Sequence, residues 1–452
     1  MIKPEAVGLS LTLRPPYRPS TIAINRKSAV VVGVGLLAAL GVVMYVVKLF
    51  SWGDRAEWAY PAAITLFVLS SVSAAPLVAF ASRMARGYWG LPARRVVELF
   101  ALPSMLLFAL LIPILGSLPP FEQDGVTRAN LWFGWGGGAP FLTDQLAVSV
   151  MLLAGGALMW FAAVPDLAGP PSRVRAMPAW KRLLFLNWTG TKRQWIVLRT
   201  SMRWISAFYL MMYVFVTMIL TTDLGQSLLP GWRSGIFPAY HVITSFQGAI
   251  ALIVITLFLL RRYAPSVGQF IGDEQAASLG KFLLALTLFW FYFFWSDFLL
   301  VWYARLPSEV AAVQTNVAVT YIVPFLIAMF GQFLIPFVTL IFNPIRRKLA
   351  RLTAVSVVVL IGLLFDRIRL FVASMSSENP FSHGLAELPE PYYPNAIDIL
   401  FMIGVVGMVA AIYLWVLTRI PTPGGWEMRE GAMYRREQKY MHAEVLVLGK
   451  PD

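Results

Sequence analysis

The chain contains no cysteine, and this absence excludes several kinds of site at once. A disulfide, a thiolate-held iron–sulfur cluster and a haem attached through a CxxCH motif all require cysteine. Histidine is nearly as scarce, with only His241, His383 and His442. A haem held between two histidines inside a membrane needs both at membrane depth, and only His241 lies in an apolar segment. We therefore expect no haem, iron–sulfur cluster or metal in this chain, so that any redox chemistry depends on a diffusible carrier or a partner's cofactors.

Charged residues are also few. They make up 13% of the 452 residues, whereas soluble domains carry about 25%. Hydrophobic residues reach 58% and aromatic residues 14%, as expected for a chain with aromatic belts at membrane interfaces. The net charge of +14 could indicate nucleic-acid binding, but Lys and Arg also collect in the cytoplasmic loops of membrane proteins. The second interpretation agrees with the distribution below, and we expect no nucleic-acid partner.

Ten apolar runs are each long enough to cross the roughly 30 Å hydrocarbon core as a helix. They predict an all-α integral membrane protein with ten transmembrane helices. No cleavage site follows the first run, so we expect it to be retained as the first span. The predicted spans are 29–50, 59–82, 97–118, 141–165, 204–223, 236–260, 280–303, 315–343, 349–374 and 395–418.

Lys and Arg alternate strongly between the two sides of this topology. The N-terminal arm, the loops after the even-numbered spans and the tail hold most of them, because the opposite side takes only Lys48, Arg55, Arg128, Arg233, Arg305, Arg367 and Arg369. Basic loops remain in the cytoplasm. The sequence thus predicts a multi-pass protein of the inner (cytoplasmic) membrane with both termini in the cytoplasm.

This topology divides the chain into five parts. They are a cytoplasmic arm at 1–28, helices one to four at 29–165, a cytoplasmic basic loop at 166–203, helices five to ten at 204–418 and a cytoplasmic tail at 419–452. The basic and aromatic loop is either an interfacial helix at the lipid headgroups or a solvated connector. The tail is either disordered or docked on a partner.

Four polar side chains are expected at similar depth near the external ends of helices four to six: Asp144, Asp223, Tyr240 and His241. A quinol site needs acceptors for two hydroxyl protons beside an apolar slot, and Asp and His can accept protons as electrons leave. The set therefore predicts a quinone-binding site. The alternative is that both aspartates are solvated helix ends and that His241 is a packed interface residue.

Asp297 is the best candidate for a buried protonation site, because it lies inside the seventh span after a run of aromatic residues. The alternative is a structural carboxylate paired with an arginine. Gln247, Glu98 and Ser71 could extend a proton path. Equally, Glu98 could pair with a neighbouring arginine, and the other two could bond to adjacent helices.

Asp366 and Arg369 are three positions apart near the external end of the ninth span, so they can pair on one helix face. We expect a structural ion pair here. Arg367 should point elsewhere.

Three stretches carry a resemblance to a known family. They are Thr221–Gly225 (TTDLG), Pro230–Tyr240 (PGWRSGIFPAY) and Phe294–Glu309 (FWSDFLLVWYARLPSE). Together with ten spans and cytoplasmic termini, they resemble the NrfD/PsrC-like membrane subunits of polysulfide-reductase-type complexes. The third stretch resembles most closely those of alternative complex III, a quinol:cytochrome c oxidoreductase.

The resemblance implies two four-helix bundles, from helices two to five and six to nine, flanked by the first and last helices. It also implies a quinone site near the external face, with Asp144 and Asp223 as its carboxylates and Asp297 at a polar position of the signature. The sequence departs from the family pattern at Thr143, where tryptophan is common, and at Arg233, where histidine is common.

These observations favour a quinone-interacting, cofactor-free membrane subunit of a respiratory oxidoreductase complex that could contribute a proton path. Iron–sulfur or cytochrome c subunits would dock on the external loops 119–140, 224–235 and 376–394, and a paralogous membrane subunit could be present. Two alternatives remain: an anchor or proton-path subunit without quinone turnover, and a secondary transporter. A transporter would show repeat-related broken helices with charges near the membrane midplane.

Overall fold

A computed structural model describes the chain over residues 21–22, 28–85, 90–120, 122–123, 125–128, 139–385, 387–440 and 443–448. Most of the predicted arm 1–28, the middle of the loop 119–140 and His442 lie outside these described residues.

The described part of the chain is built almost entirely from helices. Nine of its helices are long and apolar enough to cross a membrane, and a tenth helix, Leu349–Arg367, has 19 residues. In chain order, the ten are α1 Ala29–Leu49, α2 Ala56–Met84, α3 Leu91–Gly116, α4 Ala139–Ala168, α5 Lys192–Gln226, α6 Phe237–Tyr263, α7 Asp273–Ala304, α8 Ile322–Leu340, α9 Leu349–Arg367 and α10 Ala396–Leu417. Strands occur among the described residues only as two short hairpins, formed by β1 Glu122–Gln123, β2 Val126–Thr127, β3 Arg435–Tyr440 and β4 Ala443–Leu448.

The helices differ greatly in how much of their surface other helices cover. The apolar stretch of α2 is 83% buried, whereas those of α1 and α7 are 6% and 11% buried. An apolar helix surface that is not covered by protein is compatible with lipid but not with water. The chain is therefore a multi-pass membrane protein, with α2 inside the bundle and α1 and α7 at its periphery.

Among the described residues, five helical stretches widen locally into π turns, and buried polar residues occur on each of them. The turns are Leu69–Ser73 in α2, Thr222–Gln226 in α5, Gln314–Ala318 before α8, Met329–Leu334 in α8 and Ile368–Val372 directly after α9. Such turns interrupt the regular hydrogen-bond ladder and are frequent at functional sites. Here they place serine, aspartate, asparagine, glutamine and arginine side chains inside the bundle.

Several predicted boundaries differ from the structure by six residues or more, and two of the differences have a clear local cause. Helix α5 begins at Lys192, not at 204, because Thr191 caps the N–H of Gln194 and the basic residues that interrupt the apolar run are still compatible with a helix. The predicted span 315–343 is interrupted at residues 319–321, where the N–H groups of Val319 and Tyr321 bond to carbonyls of the preceding π turn.

The helix bundle has a basic end and a distal end. The basic end is the one where α2 finishes and α3 begins, and it carries Arg83, Arg94 and Arg95; the distal end is the opposite one. At the distal end, Lys48 of α1 contacts Asp398 of α10 at 2.8 Å, and Asn395 caps α10. This ion pair helps to hold the peripheral α1–α10 pair together.

Candidate functional site

The centre of the site is a carboxylate shared by two arginines at the end of α9. Asp366 lies 2.7 Å from Arg369 and 2.8 Å from Arg367, and all three side chains are buried. The expected pairing of Asp366 with Arg369 is present. The expectation that Arg367 points elsewhere is wrong, because Arg367 at the start of the π turn also donates to the same carboxylate. The group therefore contains one more cationic than anionic side chain.

Polar groups from α2 and α6 complete the coordination of these charges. The hydroxyl of Tyr240 donates to Asp366 at 2.8 Å. Arg367 donates to the hydroxyl of Ser70 at 2.9 and 3.0 Å and to that of Thr244 at 2.6 Å. Buried charges are tolerated only when their hydrogen bonds are made, so this network fixes the relative positions of α2, α6 and α9.

A narrow cleft of about 50 Å³ lies beside this network, towards the distal end. Asp297 of α7, Tyr240 of α6 and Arg369 all line it, and the hydroxyl of Ser234 donates a hydrogen bond to Asp297. Its remaining walls are mainly apolar and aromatic: Trp232, Phe237, Phe294, Phe298, Ala312, Val313, Val317 and Leu370, with Asn316 as a further polar residue. The cleft therefore combines an apolar slot with a carboxylate, a phenol and a guanidinium group.

His241 lies behind the wall of this cleft. Its ring is packed against Phe237 at a centroid distance of 4.2 Å and against Phe371 at 5.3 Å. Its Nδ1 is 3.0 Å from the carbonyl of Phe237, whereas its Nε2 has no hydrogen-bond partner among the described residues. The packing agrees with the alternative of a packed histidine and also leaves one ring nitrogen available.

Asp144 and Asp223 form a second group around a residue that the sequence did not single out. Both aspartates are fully buried, so they are not solvated helix ends. Burial lowers the pKa of Arg128, and the nearby carboxylates of Asp223 and Asp144 oppose that shift. Arg128 also donates to the hydroxyl of Ser227 at 2.9 Å. The only signal for Arg128 in the sequence was its position as an isolated basic residue in a loop that is predicted to be external.

The four residues expected to form one quinone site are thus distributed over two groups. Tyr240 lines the cleft together with Asp297, and His241 packs behind it. Asp144 and Asp223 lie with Arg128 instead. The sequence predicts how deep each residue lies in the membrane, but it does not predict which helix faces contact one another. It therefore did not reveal that the four residues belong to two groups.

Two residues of the expected proton path lie in the core of the bundle. Gln247 donates to the hydroxyl of Thr287 at 3.1 Å and to the carbonyl of Gln332 at 2.7 Å, so it joins α6 to α7 and α8. Ser71 bonds back to the carbonyl of Phe67 in its own helix, and the neighbouring Ser70 contacts Arg367 instead. The π turn in α2 makes that choice of serine difficult to predict from the sequence.

Glu98 belongs to a separate charged cluster at the basic end. It contacts Arg83 and lies 3.7 Å from Arg95, which in turn contacts Asp166 at 3.2 Å. Arg94, the other expected partner, donates to Ser82 at 3.0 Å. The pairing interpretation of Glu98 therefore agrees with this geometry.

The start of the C-terminal tail closes this cluster. Glu427 is fully buried and lies 2.9 Å from Arg83. Burial alone would raise the pKa of Glu427, but Arg83, Arg95 and Arg94 hold it below its ordinary value. Residues 420–430 thus pack on the chain's own helices, and the expectation of a tail that is disordered or held by a partner is wrong for this part.

No group of three or more histidine, aspartate or glutamate residues is arranged to hold a metal ion in the described part of the chain. Comparison with protein-family models finds no matching family, and comparison with curated proteins finds no matching protein.

Proposed function

We propose that this protein is a quinone- or quinol-interacting membrane subunit of a respiratory oxidoreductase complex, of the NrfD/PsrC-like kind found in alternative complex III. The observation that carries the proposal is the aromatic cleft in which Asp297, Tyr240 and Arg369 converge. Ligand sites are usually apolar clefts with a few convergent polar groups, and this cleft has that character. In this proposal it widens from its volume of about 50 Å³ to admit a quinone ring.

The chemistry of the cleft suits quinol oxidation. The oxidation of a quinol to a quinone releases two electrons and two protons. Asp297 is placed to accept a proton, and the phenol of Tyr240 can hydrogen-bond to a quinone oxygen. The positive charge of Arg369 favours an anionic form of the ring after the first proton leaves. The second proton then leaves along the hydrogen-bonded network that begins at Tyr240 and Asp366, and both electrons pass to a redox group of a partner subunit.

A proton path can continue from this cleft into the bundle. Tyr240 links the cleft to the Asp366 network, which reaches Thr244 and Ser70 through Arg367. Gln247 is one helical turn farther along the same face of α6 as Thr244. Buried polar groups in membrane helices commonly mark proton routes. In this proposal Glu98 marks the other end of the route, at the basic end.

The proposal also specifies a topology. Helix α9 also crosses the membrane, which brings the number of spans to ten, and α2–α5 and α6–α9 form two four-helix bundles flanked by α1 and α10. The basic end faces the cytoplasm, in accordance with the distribution of Lys and Arg. Iron–sulfur or cytochrome c subunits then dock at the distal end on loops 119–140, 224–235 and 376–394.

The decisive experiment measures quinone content and quinol oxidation in the purified complex carrying Asp297→Asn. We expect both to fall at least ten-fold, because the amide cannot accept the proton. Ser296→Ala is the matched control: its hydroxyl bonds to its own helix at Tyr292, so activity should be unchanged.

Asp223→Asn supplies the contrasting variant. A loss of activity in Asp223→Asn, with Asp297→Asn unaffected, would move the quinone site to the Arg128 group. Wild-type levels of bound quinone and turnover in both variants would disprove a quinone site in this chain. The chain would then be an anchor subunit, the alternative that the proximity of Arg128 to both carboxylates favours.

A further inference from the structure

A groove lies on the outer surface of the bundle, near the basic end. The residues that line it are separate in the sequence from those of the cleft. It has a volume of about 220 Å³ and lies between the end of α4, the start of α5 and the connecting loop. Phe161, Trp188, Val197 and Leu198 provide apolar walls, and Arg193 lies at its edge. Such a groove can accommodate an alkyl chain but offers little to a polar ligand.

The surroundings of the groove indicate that it lies at the membrane–water interface. In the short helix Ala179–Leu184, the side chains of Trp180 and Leu183 are 64% and 71% exposed, and the basic residue Lys181 lies between them in the sequence. On α5, Trp204 is 74% exposed. Exposed apolar side chains beside basic ones are stable where hydrocarbon meets lipid headgroups.

The chain segment that forms the groove carries charge of one sign. No aspartate or glutamate occurs between Asp166 and Asp223, whereas the same stretch contains eight basic residues: Arg173, Arg175, Lys181, Arg182, Lys192, Arg193, Arg199 and Arg203. Only Arg199 among them makes an ion pair within the described part of the chain, with Glu430 at 3.2 Å. The others leave a positive potential that an anionic headgroup would neutralise.

Aromatic contacts and hydrogen bonds hold the walls of the groove in place. Trp188 packs edge-on against Trp195 at a centroid distance of 4.9 Å, and Trp160 stacks on Phe185 at 5.9 Å. Gln194 holds the loop by accepting from the N–H of Thr189 at 2.8 Å and donating to the carbonyl of Asn187 at 2.9 Å. The connecting loop is thereby fixed against α4 and α5, and the groove keeps its shape.

We propose that this groove binds an anionic phospholipid, with an acyl chain along Phe161 and Val197 and the phosphate on Arg193. An apolar groove with a cation at its edge matches the two parts of such a lipid. A soluble anion would leave the apolar walls uncovered. A zwitterionic lipid presents the same phosphate to the arginine but carries no net charge, so the positive potential favours it less. The site is independent of the proposed quinone chemistry.

The test uses the purified full-length protein and native mass spectrometry with phosphatidylglycerol and phosphatidylcholine of identical acyl chains. We expect a several-fold preference for phosphatidylglycerol. Arg193→Gln should weaken phosphatidylglycerol binding about five-fold, the effect of one basic residue near an anionic surface, and weaken phosphatidylcholine binding less, because that lipid carries no net charge. Arg203→Gln removes an equal charge from the same helix outside the groove and should match the wild type.

A second variant tests the groove itself. Ser201 lines it, so Ser201→Trp should fill the space and reduce the bound phosphatidylglycerol although Arg193 remains. Equal losses in Arg193→Gln and Arg203→Gln would show general surface attraction and overturn the site. Undiminished binding by Ser201→Trp would overturn it as well. Unchanged thermal unfolding of all three variants establishes that binding, and not folding, has been altered.

Discussion

At the scale of single residues, the buried carboxylate of Asp366 determines the stability of the centre of the bundle. It neutralises part of the charge of Arg367 and Arg369 in a region without exposed surface. Replacing one partner of a buried ion pair leaves the remaining charge without compensation, whereas replacing one partner of an exposed pair changes little.

We therefore expect Asp366→Asn to reduce the free energy of unfolding by about 3–5 kcal/mol. Thermal and denaturant unfolding in detergent will measure the difference. The matched control is Asp273→Asn, since Asp273 also contacts two basic residues, Arg261 at 3.7 Å and Lys348 at 3.4 Å, but is 51% exposed. The loss of the Asp273 charge should change the free energy of unfolding by less than about 1 kcal/mol. Equal effects in the two variants would contradict the stabilising role of the central network.

At the scale of elements, the contact between α1 and α10 depends on glycine. A Cβ built on Gly41 would lie 2.5 Å from the carbonyl oxygen of Gly404, and one built on Gly407 would lie 2.5 Å from the Cβ of Leu37. Small residues allow membrane helices to approach closely enough for extensive van der Waals contact. Since α1 buries little else, this contact fixes its position.

Gly41→Val should separate α1 from α10 and lower the melting temperature of the protein. Gly35→Val on the same helix adds the same side chain where no atom lies within 4 Å of the new Cβ, so it should behave like the wild type. Thermal unfolding and protease digestion of α1 will report the difference. If both variants unfold alike, helix propensity and not the glycine contact accounts for the change.

The π turns are the other decisive feature at this scale. The turn at Ile368–Val372 follows Arg367, and the turn at Leu69–Ser73 contains Ser70, which bonds to that arginine. A regular helix would present different side chains at both places. The sequence contains no local pattern that predicts a π turn, because the widened turn is retained only when tertiary contacts satisfy it.

At the scale of the whole molecule, the proposed orientation can be tested directly because the chain contains no cysteine. Single cysteines introduced as Glu387→Cys and Ser172→Cys lie on exposed residues at the distal and basic ends. A membrane-impermeant maleimide should label position 387 in intact cells and position 172 only after the membrane is opened. The reverse pattern would invert the topology and remove the proposed docking face for external partners.

The sequence by itself determined the helical class, the approximate positions of the apolar segments and which ionisable residues lie within them. The physical reason is that the hydrophobic requirement of a membrane span is local and can be read from about 20 consecutive residues. It also brought Asp297, Tyr240 and Asp366 forward as candidates, since ionisable groups are costly inside a bilayer.

Only the tertiary structure decided which of these groups meet. Arg367 and Ser70 are hydrogen-bonded although they are 297 positions apart, and Glu427 of the tail reaches Arg83 of α2. Arg128 joined Asp144 and Asp223 without a preceding motif. Helix faces, π turns and the paths of the loops determine which side chains come into contact. All three depend on packing between segments that are distant in the sequence, and no local pattern encodes that packing.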